Sequence, residues 1–146
     1  MKSLATIYIL PLIILFASCD ETKKVVDVAG NIHLTGEYSI SEIEGAAVEP
    51  NTLTISFTAL DKSVRGNAGC NSFFGNYTLD LYALSFGDMA STERYCDESI
   101  MEKERAYFSA LHNTGSYTLQ NDILTLYSKT DRSILIKAVK IIKVEN

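Results

Sequence analysis

Thr52-Leu53-Thr54-Ile55-Ser56-Phe57-Thr58 decides the fold class. Leu53, Ile55 and Phe57 alternate with hydroxyl residues, and an apolar period of two is the mark of a strand with one buried face. Asp61-Lys62 then turns the chain into a second short strand over residues 63–67. Upstream, Glu37-Tyr38-Ser39-Ile40 within residues 34–43 reads as a first strand, punctuated by Gly45 and Pro50-Asn51. Downstream, Gly69 and Asn71 bracket Cys70 in a tight turn, and strands follow over residues 73–79 and 81–86, with Asp80 near their turn. Later strands are expected over residues 116–119, 123–127 and 133–144, turned at Asn121-Asp122 and Thr130-Asp131. Connections this short join antiparallel neighbours, because parallel pairs need long crossovers. The lysines of the last segment, Lys137, Lys140 and Lys143, are expected to guard an exposed sheet edge.

A single helix interrupts this series near residues 99–112. Ser99 with Glu102 predicts a capping box, and Gly115 predicts the stop. Ile100, Met101, Tyr107, Phe108 and Leu111 fall within roughly 120° of arc, with Glu102, Lys103, Arg105 and Ser109 outside it. Such a stripe is core packing rather than a cofactor box. Glu104 interrupts it and is assigned to an exposed part of the helix. Extrapolated backwards, the same face reaches Cys96 and aims it at the sheet, toward Cys70. The expected class is therefore α+β: a curved, barrel-like antiparallel β-sheet with a single α-helix packed on it.

The N-terminus has a different character. Lys2 is followed by an uncharged run over residues 4–18 that contains Pro11. That run suits a signal h-region and is short of the ~20 residues of a comfortable membrane span. Leu15-Phe16-Ala17-Ser18-Cys19 resembles a bacterial lipobox, in which the Cys thiol takes diacylglycerol, the bond before it is cut, and the new amino group is acylated. Residues 1–18 are read as the lipoprotein signal, 19–33 as the lipidated N-terminus and tether, and 34–146 as the folded domain. An uncleaved anchor helix and a plain secretory signal are the competing readings. Acylation at Cys19 would place the protein in the bacterial cell envelope, outside the cytoplasm, with the lipid bilayer as its first partner.

Composition narrows the function classes. The chain has 146 residues, 47% of them hydrophobic, and a net charge of −5. Loss of residues 1–18 leaves 128 residues and, with Lys2 gone, a charge of −6. One domain fits this length, and the acidic balance argues against a nucleic-acid partner. With Cys19 used by lipid, Cys70 and Cys96 remain. Outside the cytoplasm an even pair is most simply a disulfide, and closing this loop of 26 residues would stabilise by about 3–4 kcal/mol. Two free thiols, or a redox or metal pair, are the alternatives. A CxxC motif is absent, and His33 and His112 are the only imidazoles, so no metal site or cofactor is expected.

Residues 64–77, Val-Arg-Gly-Asn-Ala-Gly-Cys-Asn-Ser-Phe-Phe-Gly-Asn-Tyr, resemble the signature of the META domain, or HslJ-like, family. Ser91-Thr92-Glu93-Arg94-Tyr95-Cys96 resembles its second block, with Arg94-Tyr95 where Met-Ala or Met-Met is usual. Tyr117, Leu124 and Leu126 resemble its later hairpin, and Tyr38 stands for its early Trp. The resemblance spans roughly residues 34–142. It implies a small, mostly antiparallel domain with one helix and a disulfide between Cys70 and Cys96. It implies no catalytic residue, cofactor or substrate, and a loose link to the envelope, stress responses or secretion. Gly66, Gly69, Asn71, Gly75 and Tyr77 match motif positions. Glycine and asparagine there are expected to serve turns and close backbone approach, with a functional surface around Asn71 as the alternative.

No HExxH, GxSxG, Walker or Rossmann pattern is present. Asp97, Glu98, Glu102 and Glu104 gather at a helix start, where carboxylates suit the dipole. His112 reads as a packing or capping residue and His33 as part of the tether. Asn76-Tyr77-Thr78 spells a glycosylation sequon that a bacterial lipoprotein would not normally use. Two functions follow as expectations. One is a non-enzymatic envelope lipoprotein that binds another envelope protein or maintains the envelope. The other is a small-molecule or peptide binder using a cavity in the curved sheet.

Overall fold

The alternation at residues 52–58 becomes a strand in the computed structural model, which describes residues 33–142. The elements run β1 (Gly36–Ile43), β2 (Ala46–Ala47), β3 (Thr54–Thr58), β4 (Ser63–Asn67), β5 (Ser72–Asp80), β6 (Ala83–Ser91), α1 (Glu98–Asn113), β7 (Thr114–Gln120), β8 (Ile123–Ser128) and β9 (Ile134–Lys140). Sequential strands pair antiparallel from β3 to β9, and β1 pairs with β3 on one side and β9 on the other. The sheet therefore closes on itself as an eight-stranded barrel, with β2 added on β1 and one helix packed against it. Closure removes most of the free edge that an open sheet would expose.

Alternation explains what fills the barrel. Leu53, Ile55 and Phe57 are buried, and Thr54, Ser56 and Thr58 are half-buried. Phe57 meets Tyr38 and Tyr77 edge-on, with centroids 6.1 and 5.3 Å apart, so three aromatic rings cross the interior. Leu84, Leu124, Leu126, Ile136 and Ala138 complete the same core. The turn between β7 and β8 is two residues long with positive φ at both Asn121 and Asp122, the geometry that matches strand twist.

The barrel is thinnest between β6 and β7. Their register has the single pair Ala83 and Ser116, supported by the Tyr117 N–H on the Tyr82 carbonyl at 3.2 Å. Beyond Ala83 the helix packs against β6. Tyr107 and Phe108 of α1 meet Phe73 at 5.8 and 5.5 Å between centroids, both edge-on.

Several sequence expectations are corrected. No capping box forms at Ser99: the N-cap is Asp97, without a side-chain cap bond, and the helix begins at Glu98. Gly115 is not the helix stop, because Thr114 is already extended. Gly115 instead lets β7 approach the end of β8, where a Cβ would stand 2.5 Å from Lys129 Cα. Leu81 has φ +57 and belongs to the turn rather than to a strand, and β6 runs on to Ser91. The final strand is no edge. Lys137 pairs with Glu42 at 2.9 Å across β9 and β1, and Lys140 lies 5.8 Å over the Tyr38 ring. Glu104 is not exposed: it is buried on the helix face that carries Tyr107, Ala110 and Leu111.

Candidate functional site

The turn between β4 and β5 carries the Cys-Asn block. The Asn67 side-chain oxygen accepts the Gly69 N–H at 2.7 Å, and the Ala68 N–H reaches the Asn71 carbonyl at 2.7 Å. Gly69 has φ +102, a left-handed backbone that a side chain would strain. This tight loop puts Asn71 beneath the helix at 3% exposure.

Every polar atom of the Asn71 side chain is used there. Its Nδ2 donates to Glu104 Oε1 at 2.8 Å and to the Arg94 carbonyl at 3.1 Å. Its Oδ1 accepts the Thr92 hydroxyl and the Arg94 N–H, each at 2.7 Å. Its backbone N–H donates to Glu104 Oε2 at 2.8 Å. One amide thus ties the β4–β5 turn, the segment before the helix and the helix itself. The described ion pairs join Arg105 to Glu98 and Lys137 to Glu42, so the partners seen for Glu104 are neutral donors. Cys70 and Cys96 add a covalent tie at the same place, with sulfurs 2.03 Å apart.

The remaining motif positions also face inward. At Gly66 a Cβ would lie 2.1 Å from the Thr54 carbonyl and 2.7 Å from the Phe73 ring. At Gly75 it would press on Asp88 and Met89. Tyr77 is buried in the core, its hydroxyl 3.4 Å from the Thr58 carbonyl, and burial raises its pKa, with Asp61 and Tyr117 adding to the effect. An arrangement with its donors and acceptors paired internally and its glycines against backbone holds structure together. It presents no nucleophile and no base to a substrate.

His33 and His112 are exposed, and no group of three or more His, Cys, Asp or Glu among the described residues could hold a metal ion. Among those residues no helix is long and apolar enough to cross a membrane. Cys19, the signal segment and the tether as far as residue 32 lie outside the described residues.

The sequence offered one signal of this node that was read differently: a carboxylate, Glu104, inside an apolar arc. It offered none of the surface grooves. One, of about 540 Å³, crosses the outer face of β3, β4 and β5 beside Arg65 and the two-thirds-exposed Phe74. Another, of about 570 Å³, lies where the β5–β6 turn meets β7 and β8, between Tyr82, Tyr117, Tyr127 and Arg132.

Comparison with known proteins agrees with this picture. The model of the META domain matches residues 31–140. No curated protein matches the chain. An NMR structure of a protein from Burkholderia xenovorans is 21% identical, covers 80% of this chain and 89% of its own, and superposes with a TM-score of 0.63. The crystal structure of a DUF4847 family protein from Bacteroides vulgatus ATCC 8482 is 13% identical, covers 80% and 99%, and gives 0.58. Likeness at these identities establishes the fold. Neither the family match nor these neighbours indicates an enzymatic activity.

Proposed function

This chain belongs to the META domain family, and from that premise we propose that it is a non-enzymatic interaction domain of the bacterial cell envelope, tethered to a membrane through acylated Cys19. The observation that carries the reading is the state of the family signature. Asn71, Cys70 and Tyr77 are buried and bonded within the fold, Gly66 and Gly75 lie against neighbouring backbone, and Gly69 serves the turn between β4 and β5, which leaves the outer surface to meet partners. The tether rests on the sequence alone, on the Cys at the end of a lipobox-like run. Maintenance of the envelope through contact with another envelope protein is the role this combination suits.

Binding of a small ligand on the outer surface is the second reading. A cavity within the curved sheet is not supported, because Tyr38, Phe57 and Tyr77 occupy the barrel interior. The grooves on the outside are the sites available to a ligand.

Intact-mass analysis of protein from native membranes tests the tether. The mature chain should begin at acylated Cys19, and Cys19→Ala should leave the membrane fraction. A mature chain that retains residues 1–18 contradicts it. Crosslinking in intact cells tests the interaction role. A specific envelope protein should be joined in defined stoichiometry, and recovery of the domain alone would count against it.

A further inference from the structure

Tyr38, Tyr77 and Tyr107 are buried in the core. Tyr82, Tyr127 and the edge of the buried Tyr117 line one groove of about 570 Å³ together with Ser116, Thr118 and Arg132. A neighbouring groove of about 340 Å³ shares Tyr82, Ser116 and Arg132 and adds Lys129. Arg132, Tyr82 and Ser116 thus border both grooves.

The loop that presents Arg132 is held by its own bonds. The Arg132 N–H reaches the Ser128 carbonyl at 3.2 Å, and the residue has φ +60. Asp131 is occupied by Ser133, whose N–H and hydroxyl lie 3.1 and 2.8 Å from its Oδ1, and these bonds, with Ser128, hold its carboxyl below the usual range. No described hydrogen bond or ion pair uses the Arg132 guanidinium. Lys129 Nζ meets only a neutral group, the His112 carbonyl, at 3.3 Å. Two cations thus border the groove, in a chain of net charge −5, and the neighbouring Asp131 is occupied within its own loop. Beside them the Tyr82 ring is 74% exposed, and the Tyr127 hydroxyl pairs with Thr118 at 3.2 Å.

These groups specify a ligand. A guanidinium matches a carboxylate with two parallel bonds. An exposed aromatic ring is an apolar plate that can cover the C–H face of a sugar ring. The hydroxyls of Ser116, Thr118 and Tyr127 can exchange bonds with a polyhydroxyl body. A purely apolar ligand would bury Arg132 unpaired, and a bare inorganic anion would leave the rings in water. We propose that this groove binds an acidic saccharide, with its carboxylate on Arg132 and its ring on Tyr82. The proposal deepens the envelope reading and rests on it only for the compartment in which such sugars are met.

The test titrates the full chain in detergent with N-acetylmuramic acid, by NMR or calorimetry. N-acetylglucosamine, which lacks the lactyl carboxylate, is the control. Saturable binding at millimolar sugar is expected, with the control weaker by about tenfold or more. Arg132→Asn, chosen because asparagine tolerates positive φ, and Tyr82→Ala should each weaken binding by about tenfold. Tyr82→Ala decides the case if Arg132→Asn also lowers the melting temperature. Absence of binding, equal binding of the two sugars, or unchanged binding in both variants overturns the proposal. A mature chain that retains residues 1–18, or a Cys19→Ala variant that stays in the membrane fraction, would contradict the envelope reading and leave this titration unaffected.

Discussion

Glu104, on the helix, grips Asn71, on the β4–β5 turn, with both carboxylate oxygens: Oε2 takes the backbone N–H and Oε1 takes the side-chain amide, each at 2.8 Å. Burial makes this contact matter. A buried polar group that loses its partner costs about 1–3 kcal/mol, and more when it is charged. Thirty-three residues separate the two, so the contact forms only once the helix is seated on the barrel. It acts with the disulfide, which joins the neighbouring Cys70 to Cys96 just before the helix.

The disulfide should contribute measurably. Its sequence separation is 26, for which the chain-entropy model gives about 3–4 kcal/mol. The double variant Cys70→Ala/Cys96→Ala should lose roughly that amount in urea unfolding. The reduced wild type should lose a similar amount, and its two thiols should then become alkylatable.

Gly66 and Gly87 make a matched pair. At Gly66 an added Cβ would lie 2.1 Å from the Thr54 carbonyl, a backbone atom of the paired strand, whereas at Gly87 the nearest atom is the Asn76 carbonyl at 3.5 Å. Gly66→Ala must push β3 and β4 apart and should destabilise by about 3 kcal/mol or more. Gly87→Ala should stay within about 1 kcal/mol of wild type, because it also restricts the unfolded chain. Chemical denaturation of the two variants checks the contrast.

Alkaline pH should unfold the barrel through its buried phenols. Burial pushes the Tyr38 pKa up to about 12, with Asp122 and Tyr117 adding to it, and burial raises Tyr77, Tyr107 and Tyr117 as well. A raised folded pKa means that the unfolded chain releases protons first, near pH 10. The stabilisation is therefore fully present below about pH 10 and is lost as pH rises toward 12. Melting temperature against pH should fall across that window. Tyr38→Phe should make the fall shallower, even though it removes the hydroxyl bond to the Leu34 carbonyl at 2.9 Å.

Much of the fold was legible because its signals are local. Leu53, Ile55 and Phe57 alternate in the sequence as they alternate between barrel interior and exterior, and short turns forced the antiparallel order. What escaped depends on distant partners. Lys137 looks like an edge guard until Glu42, 95 residues away, is placed beside it. Glu104 falls inside the apolar arc of the helical wheel yet reads as solvated, because the wheel cannot show an amide arriving from the β4–β5 turn. Ser99 and Glu102 have capping-box spacing, yet the helix starts two residues earlier, after Asp97. The Arg132 groove has no sequence pattern at all, since Tyr82 and Arg132 come together only when the β5–β6 turn reaches the far side of β7.

The claim that the family signature acts as an internal clamp stands or falls on coupling between Asn71 and Glu104. A double-mutant cycle in urea, with Asn71→Ala, Glu104→Ala and both together, measures it directly. Each single variant should lose about 2–3 kcal/mol, and the double variant should lose clearly less than the sum, with a coupling energy of about 2 kcal/mol. Losses that simply add, to within about 0.5 kcal/mol, would contradict the clamp and return Asn71 to consideration as part of a working surface.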